Sequence, residues 1–422
     1  MNTESEKTVR LGVLRRPSDE TKGNRLPIVV RLLSVAFCLS LAAVIGFGLV
    51  ACKTSSSSAA DDGIGSLDVG DTPKPVEIGK VWPLTGLPAK DNDPINRRPL
   101  SIKIENSPVA RPQLGISHAD VVYESVTEGG ITRFNCIFQS DIPDEVGPVR
   151  SARNTDISIV PQYQGLFFYS GANSTVEREI RNAGIDNMGN TPAESLYYRV
   201  RYRAAPHNLY LKLSDAYQVA EKLRLTTTLK SPPTLSFLTG DQAVDAGSAA
   251  GKTAAVSKNS TNSGTDSDSA DSTKSSASSD GSQATTPDEI AAIKLTVPLS
   301  DDYVVNWDYS SSKKVYARSM GSAKSLDAES SQPIEATNVV VLWASYVPGV
   351  IANRSQTYNV DLKTTGQASL FMGGKRIDGT WKAGAKTPPR FYDKLGQEIY
   401  LTPGKTWFEV VDTKVKLKVS GS

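Results

Sequence analysis

The sequence predicts an α+β protein, with an N-terminal mixed α/β sheet domain followed by a mainly antiparallel β C-terminal domain. Three observations predict it. Residues 241–289 are rich in Ser, Asp and Thr and hold no aromatic residue, so they cannot bury enough apolar surface to offset the entropy of ordering. That stretch divides the chain. Region 76–240 mixes strand-like runs with segments that carry helix caps, and region 290–420 contains strand-like runs with Gly, Pro or Asp between them. Strands interspersed with helices imply a sheet covered by helices, and successive short strands without helices imply an antiparallel β-domain.

The elements follow in chain order. "SIKIEN" and "DVVYESVTE" read as strands, and "ITRFNCIF" alternates, with Thr132, Phe134, Cys136 and Phe138 on one side. Between the last two runs Gly129-Gly130 predicts a bulge or a close backbone approach. If a helix begins at Ser151, "NTDISIV" continues it toward Pro161 and Arg150 and Arg153 share its first turn; if the backbone there is extended, the two side chains diverge. "GLFFYSG" predicts a short buried strand bounded by glycines. Ser174 with Glu177 forms a capping box whose helix Gly184 can end. Thr191-Pro192-Ala193-Glu194 repeats the device with proline at the first helical position, and "SDAYQVAEKLR" predicts a further helix from near Ser214. In the second region "IKLTVPL", "YVVNWDY", "NVVVLWASYV", "TYNVDL", "SLFMGG", "EIYLTPGKTWFEVV" and "VKLKVS" are the strand-like runs.

The N-terminus is of another kind. A basic segment ends at Arg31, and an uncharged apolar run then reaches Cys52. A positive segment, an apolar stretch and small residues before a cysteine mark an export signal over residues 1–51. Leu49-Val50-Ala51-Cys52 resembles the bacterial lipobox, which makes Cys52 the expected lipidation site and residues 52–75 a polar tether. An uncleaved signal anchor is the alternative, because about 20 apolar residues span a bilayer. Removing the signal and lipidating Cys52 leaves Cys136 as the single free thiol, so no internal disulfide is expected.

Charge excludes some functions. Residues 1–51 carry seven Lys/Arg and four Asp/Glu; the other residues carry 40 and 41. A near-neutral body without a basic stripe argues against nucleic acid as partner. With two histidines and one free cysteine, no metal site and no cofactor are expected. "GSAAGKT" fails as a phosphate-binding loop, since Ala246 stands where the first glycine is needed.

Several motifs in order, "ENSPVARPQ", "ADVVYESVTEGGITRF", "GPVRSAR", "PHNLY", "GGKRIDGTW", "PRFYD" and "PGKTW", resemble those of the YerB-like family of bacterial lipoproteins. The resemblance spans nearly all of both regions. It implies a two-domain protein, lipid-anchored on the outer face of the cytoplasmic membrane in a Gram-positive-type bacterium, and it implies no particular reaction. One departure is that "YARSMGSAKSLD" stands where the family often has a Gly-x-Pro-His segment.

The candidate site centres on Arg150 and Arg153, which leave the Gly147-Pro148 turn with only Ser151 and Ala152 between them. Closely spaced guanidinium groups suit carboxylate or phosphate. Glu105, Glu124 and Glu128 of the same region are available to pair with them instead. Arg133, Arg203, His207 and Asn208 complete the expected ligand-binding set, at the wall of a cleft for an anionic envelope component or a partner protein. A hydrolase of envelope polymer is the alternative, with Glu128 or Glu105 and His207 as acid and base. Binding leads over catalysis, because a lone histidine more often serves as a hydrogen-bonder. Trp343, Trp381 and Trp407 fit a glycan platform or, more simply, a core.

Overall fold

The computed structural model describes residues 79–238, 289–350 and 356–421; the expected signal, Cys52, the tether and the Ser/Asp-rich stretch through residue 288 lie outside the described residues. The first region holds β1 (Leu100–Glu105), β2 (Val121–Val126), β3 (Thr132–Phe138), β4 (Glu145–Val146), α1 (Asn154–Gln162), β5 (Leu166–Phe168), α2 (Ser174–Asn182), β6 (Tyr197–Arg199), β7 (Leu209–Lys212) and α3 (Ala216–Lys222). The second begins with β8 (Glu289–Ala291), β9 (Lys294–Pro298), β10 (Val304–Ser310), β11 (Val315–Met320), β12 (Ala323–Lys324) and β13 (Glu335–Ala336). It continues with β14 (Asn338–Ala344), β15 (Tyr346–Val350), β16 (Gln356–Val360), β17 (Thr365–Met372) and β18 (Lys375–Lys382). The chain closes with β19 (Arg390–Tyr392), β20 (Glu398–Ile399), β21 (Thr406–Asp412) and β22 (Lys418–Ser420).

Both regions contribute to one eleven-stranded sheet, in the order β20-β19-β18-β17-β14-β21-β2-β3-β1-β5, with β8 beside β18. The junction is parallel: Tyr123 of β2 lies opposite Phe408 of β21, and Glu124 opposite Glu409. β21 is parallel to β14 as well, a departure from the antiparallel pattern expected of the second region. Six of its seven residues are buried, and a strand covered on both faces suits a parallel setting. The described residues fall within one compact unit.

The large sheet is covered on both faces. On one, Ile102, Ile104, Val122, Phe134 and Trp407 meet Leu295, Val305 and Trp307 of the smaller sheet β12-β11-β10-β9-β22. On the other, Tyr123, Ile137, Leu342 and Phe408 meet Ile159 and Tyr163 of the α1 segment. The alternation in "SIKIE" therefore does not mark a solvated face. Ser101, Lys103 and Glu105 point to the α1 side and are buried there.

The first region is mostly sheet, with three short helices, so the expected mixture of helices and strands is corrected toward strand. The segment after Thr191-Pro192 forms only a 3₁₀ turn, Glu194–Leu196, inside a short connection. The cap of α2 is Asn173, whose side chain accepts from Val176 N, one residue before the expected Ser174. α1 starts at Asn154, with Arg153 at its N-cap, so Arg150 and Arg153 do not share a first helical turn. Gly129 and Gly130 are not a bulge. Both take left-handed φ values, 68° and 72°, in a 3₁₀ turn that joins β2 to β3. Gly147 answers to crowding as well as turning, because a Cβ there would lie 2.5 Å from the Tyr210 ring.

Candidate functional site

The site forms where β1 ends and β3 begins. In the β1–β3 register Glu105 stands opposite Arg133, and both side chains lie on the α1 face. The 147–153 connection crosses the end of β1, where Glu105 N donates to Pro148 O at 3.0 Å and Arg150 N donates to Lys103 O at 2.9 Å. The 200–208 connection between β6 and β7 brings His207 to the same place.

Two ion-paired groups result. Glu105 is 3% exposed; its Oε1 meets His207 Nδ1 at 2.9 Å and its Oε2 meets Arg150 Nε at 3.3 Å. Ser107 Oγ donates to Oε1 at 2.7 Å. Arg153 Nε pairs with Glu128 Oε1 at 2.6 Å, and its Nη1 donates to Ala152 O at 2.7 Å. Burial pushes the Glu128 carboxyl up, but the Arg153 charge beside it outweighs that and holds it below its ordinary value. Between the groups lies Arg133, 8% exposed. Its guanidinium donates from Nη1 to Ser151 O at 3.0 Å and makes no ion pair among the described residues. Burial first, then the charges of Arg153 and Arg150, lower its pKa to about 10.

The structure thus brings together Glu105, Glu128, Arg133, Arg150, Arg153 and His207. Arg150 and Arg153 are paired with carboxylates of their own region rather than left facing open space. Arg203 lies off to one side, donating to Val109 O and Pro112 O at 2.8 and 2.7 Å. Asn208 braces the loop itself: its Oδ1 accepts from Arg199 Nη1 at 2.7 Å and its Nδ2 donates to Val200 O at 3.1 Å.

The chemistry available here is limited. Glu105 can orient the His207 ring as a carboxylate does in a base–orienter pair, but the ring's Nε2 has no hydrogen-bond partner among the described residues. Glu128, held ionised by Arg153, is poorly suited to donate a proton. A groove of about 1150 Å³ opens elsewhere, between α1–α2 and strands of the second region. Among the described residues no group of three or more potential ligands could hold a metal, and no helix is long and apolar enough to cross a membrane.

A second charged cluster was missed in the sequence. Arg318 of β11 pairs with Glu124 of β2 at 2.7 Å, with both side chains almost fully buried. Glu409 lies beside Glu124 and accepts from Trp307 Nε1 at 2.9 Å. Burial first and the Glu124 charge second push the Glu409 carboxyl well above its ordinary range. The "ENSPVARPQ" motif links the clusters. Asn106 Nδ2 donates to Glu124 Oε1 at 3.1 Å, and Gln113 Nε2 donates to Glu105 O at 2.9 Å. A signal for this cluster was present: Glu124 and Glu409 each interrupt an otherwise apolar strand. For Arg318, in a strand of mixed character, there was none.

Comparison with known proteins agrees with the motif resemblance. The family described as "Protein of unknown function (DUF3048) N-terminal domain" matches residues 84–226, and its C-terminal domain matches residues 295–408. The chain is 28% identical over 332 residues to "Putative lipoprotein YerB" of Bacillus subtilis strain 168, covering 78% of this chain and 85% of that protein. Among solved structures, the crystal structure of YerB protein from Bacillus subtilis matches with a TM-score of 0.63 at 24% identity. That match covers 80% of this chain and 99% of the other, and at this identity it speaks for the fold alone.

Proposed function

We propose a function from one premise: the chain belongs to the DUF3048 family, with both of its domains present. It is a lipoprotein on the outer face of the cytoplasmic membrane of a Gram-positive-type bacterium, and it works as a binding or scaffold protein of the cell envelope. The Leu-Val-Ala-Cys tetrad and the lipoprotein name of the Bacillus relative support the anchor. Metabolic labelling with a palmitate analogue should mark the wild type and leave Cys52→Ala unmarked; equal labelling of both would remove the anchor from this account.

The binding reading rests on positive charge left without a carboxylate. Arg199 ends β6, Arg201 and Arg203 lie on the loop that carries His207, and among the described residues none of the three makes an ion pair. Arg199 and Arg203 are held by an amide oxygen and two carbonyls, which fix the guanidinium groups without neutralising them. These groups present a cationic lip to an anionic envelope component or partner protein, and Asn208 holds the shape of the loop. The hydrolase alternative draws less support, because Glu105 and Glu128 are each engaged by an arginine.

A glycerol-phosphate polymer is the probe. Its affinity for the wild type should fall as salt rises. The triple variant Arg199→Gln/Arg201→Gln/Arg203→Gln should bind about tenfold more weakly, three exposed charges at about 0.5 kcal/mol each. Equal affinity at low salt would defeat the reading.

A further inference from the structure

We propose that Arg133 forms the floor of a site for a single carboxylate, supplied by the C-terminal end of a peptide or by a small organic acid. The site lies between the two ion-paired groups, where β1 ends and β3 begins. It does not depend on Arg199, Arg201 or Arg203.

Charge is the first reason. Arg133, Arg150 and Arg153 converge here on two carboxylates. Arg150 takes Glu105 and Arg153 takes Glu128, while Lys103 and Asp156 on the same face neutralise each other. One positive charge remains, on Arg133, which is 8% exposed. The repulsion it feels from Arg153 and Arg150 exceeds the attraction of Glu128 and Glu105. A buried cation in this position is costly unless a counter-charge arrives. A monoanion would bring the cluster to neutrality; a dianion would overshoot it.

Shape is the second. Arg133 Nη1 donates to Ser151 O at 3.0 Å, an oxygen that also accepts from Arg153 Nη1 at 3.2 Å. That carbonyl fixes the plane of the Arg133 guanidinium. Nε and Nη2, the two nitrogens of its side-on fork, have no hydrogen-bond partner among the described residues, and neither is sealed from solvent. Two parallel N–H groups match the two oxygens of one carboxylate. The resident carboxylates do not fill the fork. Glu105 is held by Arg150, His207 and Ser107, and Glu128 by Arg153. The turn beside Glu128 is uncrowded, since nothing lies within 4 Å of where a Gly129 Cβ would stand.

The test is thermal unfolding of the full-length protein at constant ionic strength. It is titrated in turn with acetyl-alanyl-alanine, the C-terminal amide of that dipeptide, acetate and dimethyl phosphate. The free acid should raise the midpoint saturably, and the amide should not. Arg133→Met should lose the response, yet without ligand it should unfold no earlier than the wild type, because it removes a cation that has no ion-pair partner. Arg133→Lys keeps the charge without the fork and should bind about tenfold more weakly, the equivalent of one hydrogen bond to a charged group. The Arg199→Gln/Arg201→Gln/Arg203→Gln variant should respond as the wild type does, which separates this site from the cationic lip. Tighter binding of the dipeptide than of acetate assigns the carboxylate to a chain end, and equal binding assigns it to a small acid; either upholds the site. Four results would overturn it: no saturable response to the acid, an equal response to dimethyl phosphate, an undiminished response in Arg133→Met, or a lower midpoint in ligand-free Arg133→Met.

Discussion

Arg318→Met should destabilise the protein by about 3–5 kcal/mol, the cost of leaving a buried charge without its partner. Arg318 lies between the two sheets, paired with Glu124 at 2.7 Å, and its guanidinium sits over the rings of Phe134 and Trp407 at 5.4 and 5.2 Å. Methionine keeps the stem and loses the charge. Glu124 would then remain buried beside Glu409, whose carboxyl is already raised by burial and by Glu124 itself. Neither carboxyl can reach water without lifting the smaller sheet, which carries Arg318 and Trp307, off the large one. Denaturant unfolding monitored by tryptophan emission measures the loss directly, since Trp307 and Trp407 flank the cluster. A change below about 1 kcal/mol, the range of an exposed ion pair, would show that the pair is solvated and that the sheets do not close over it.

Lys103→Met should have a comparable effect, about 3–5 kcal/mol, for the same physical reason on the opposite face. Lys103 Nζ lies 2.9 Å from Asp156 Oδ1, and the two side chains are 1% and 0% exposed. Burial lowers the lysine pKa, and the Asp156 charge partly restores it. Asp156 also accepts from Asn135 Nδ2 at 2.9 Å and from Arg153 N at 2.7 Å, so it fixes the start of α1. Losing Lys103 should loosen the Arg153–Glu128 group as well. Protection of the Arg153 and Asp156 amides against hydrogen exchange would fall with global stability. Full protection with unchanged stability would contradict the pairing.

The strands were legible because hydrophobic runs and their punctuation survive in the sequence. "SIKIEN", "ITRFNCIF" and "NVVVLWA" all became strands of the large sheet. Which strands neighbour each other was not legible. β2 and β21 lie nearly 300 positions apart, and no local pattern records a parallel pairing over that distance. Helix starts missed by a residue or more for a local reason: at Asn173 an amide caps as well as the following serine would. The site was half legible. Composition singled out Arg150, Arg153, His207 and the glutamates, and the fold did bring them together. Their engagement was not readable, because Glu105 meets His207 from 102 positions away. Burial was less visible still. Trp343, Trp381 and Trp407 look alike in sequence, yet Trp381 and Trp407 are buried in the core and Trp343 is partly exposed.

The groove and the Glu124–Arg318 pair both rest on β2 lying beside β21, which makes one unit of the two regions. The direct test is a specific protease site introduced within residues 250–280, cleaved to completion, and followed by size-exclusion chromatography without denaturant. The two fragments should elute together at the volume of the uncut protein and separate only in denaturant. Elution as two independently folded fragments under native conditions would contradict the shared sheet and, with it, the groove.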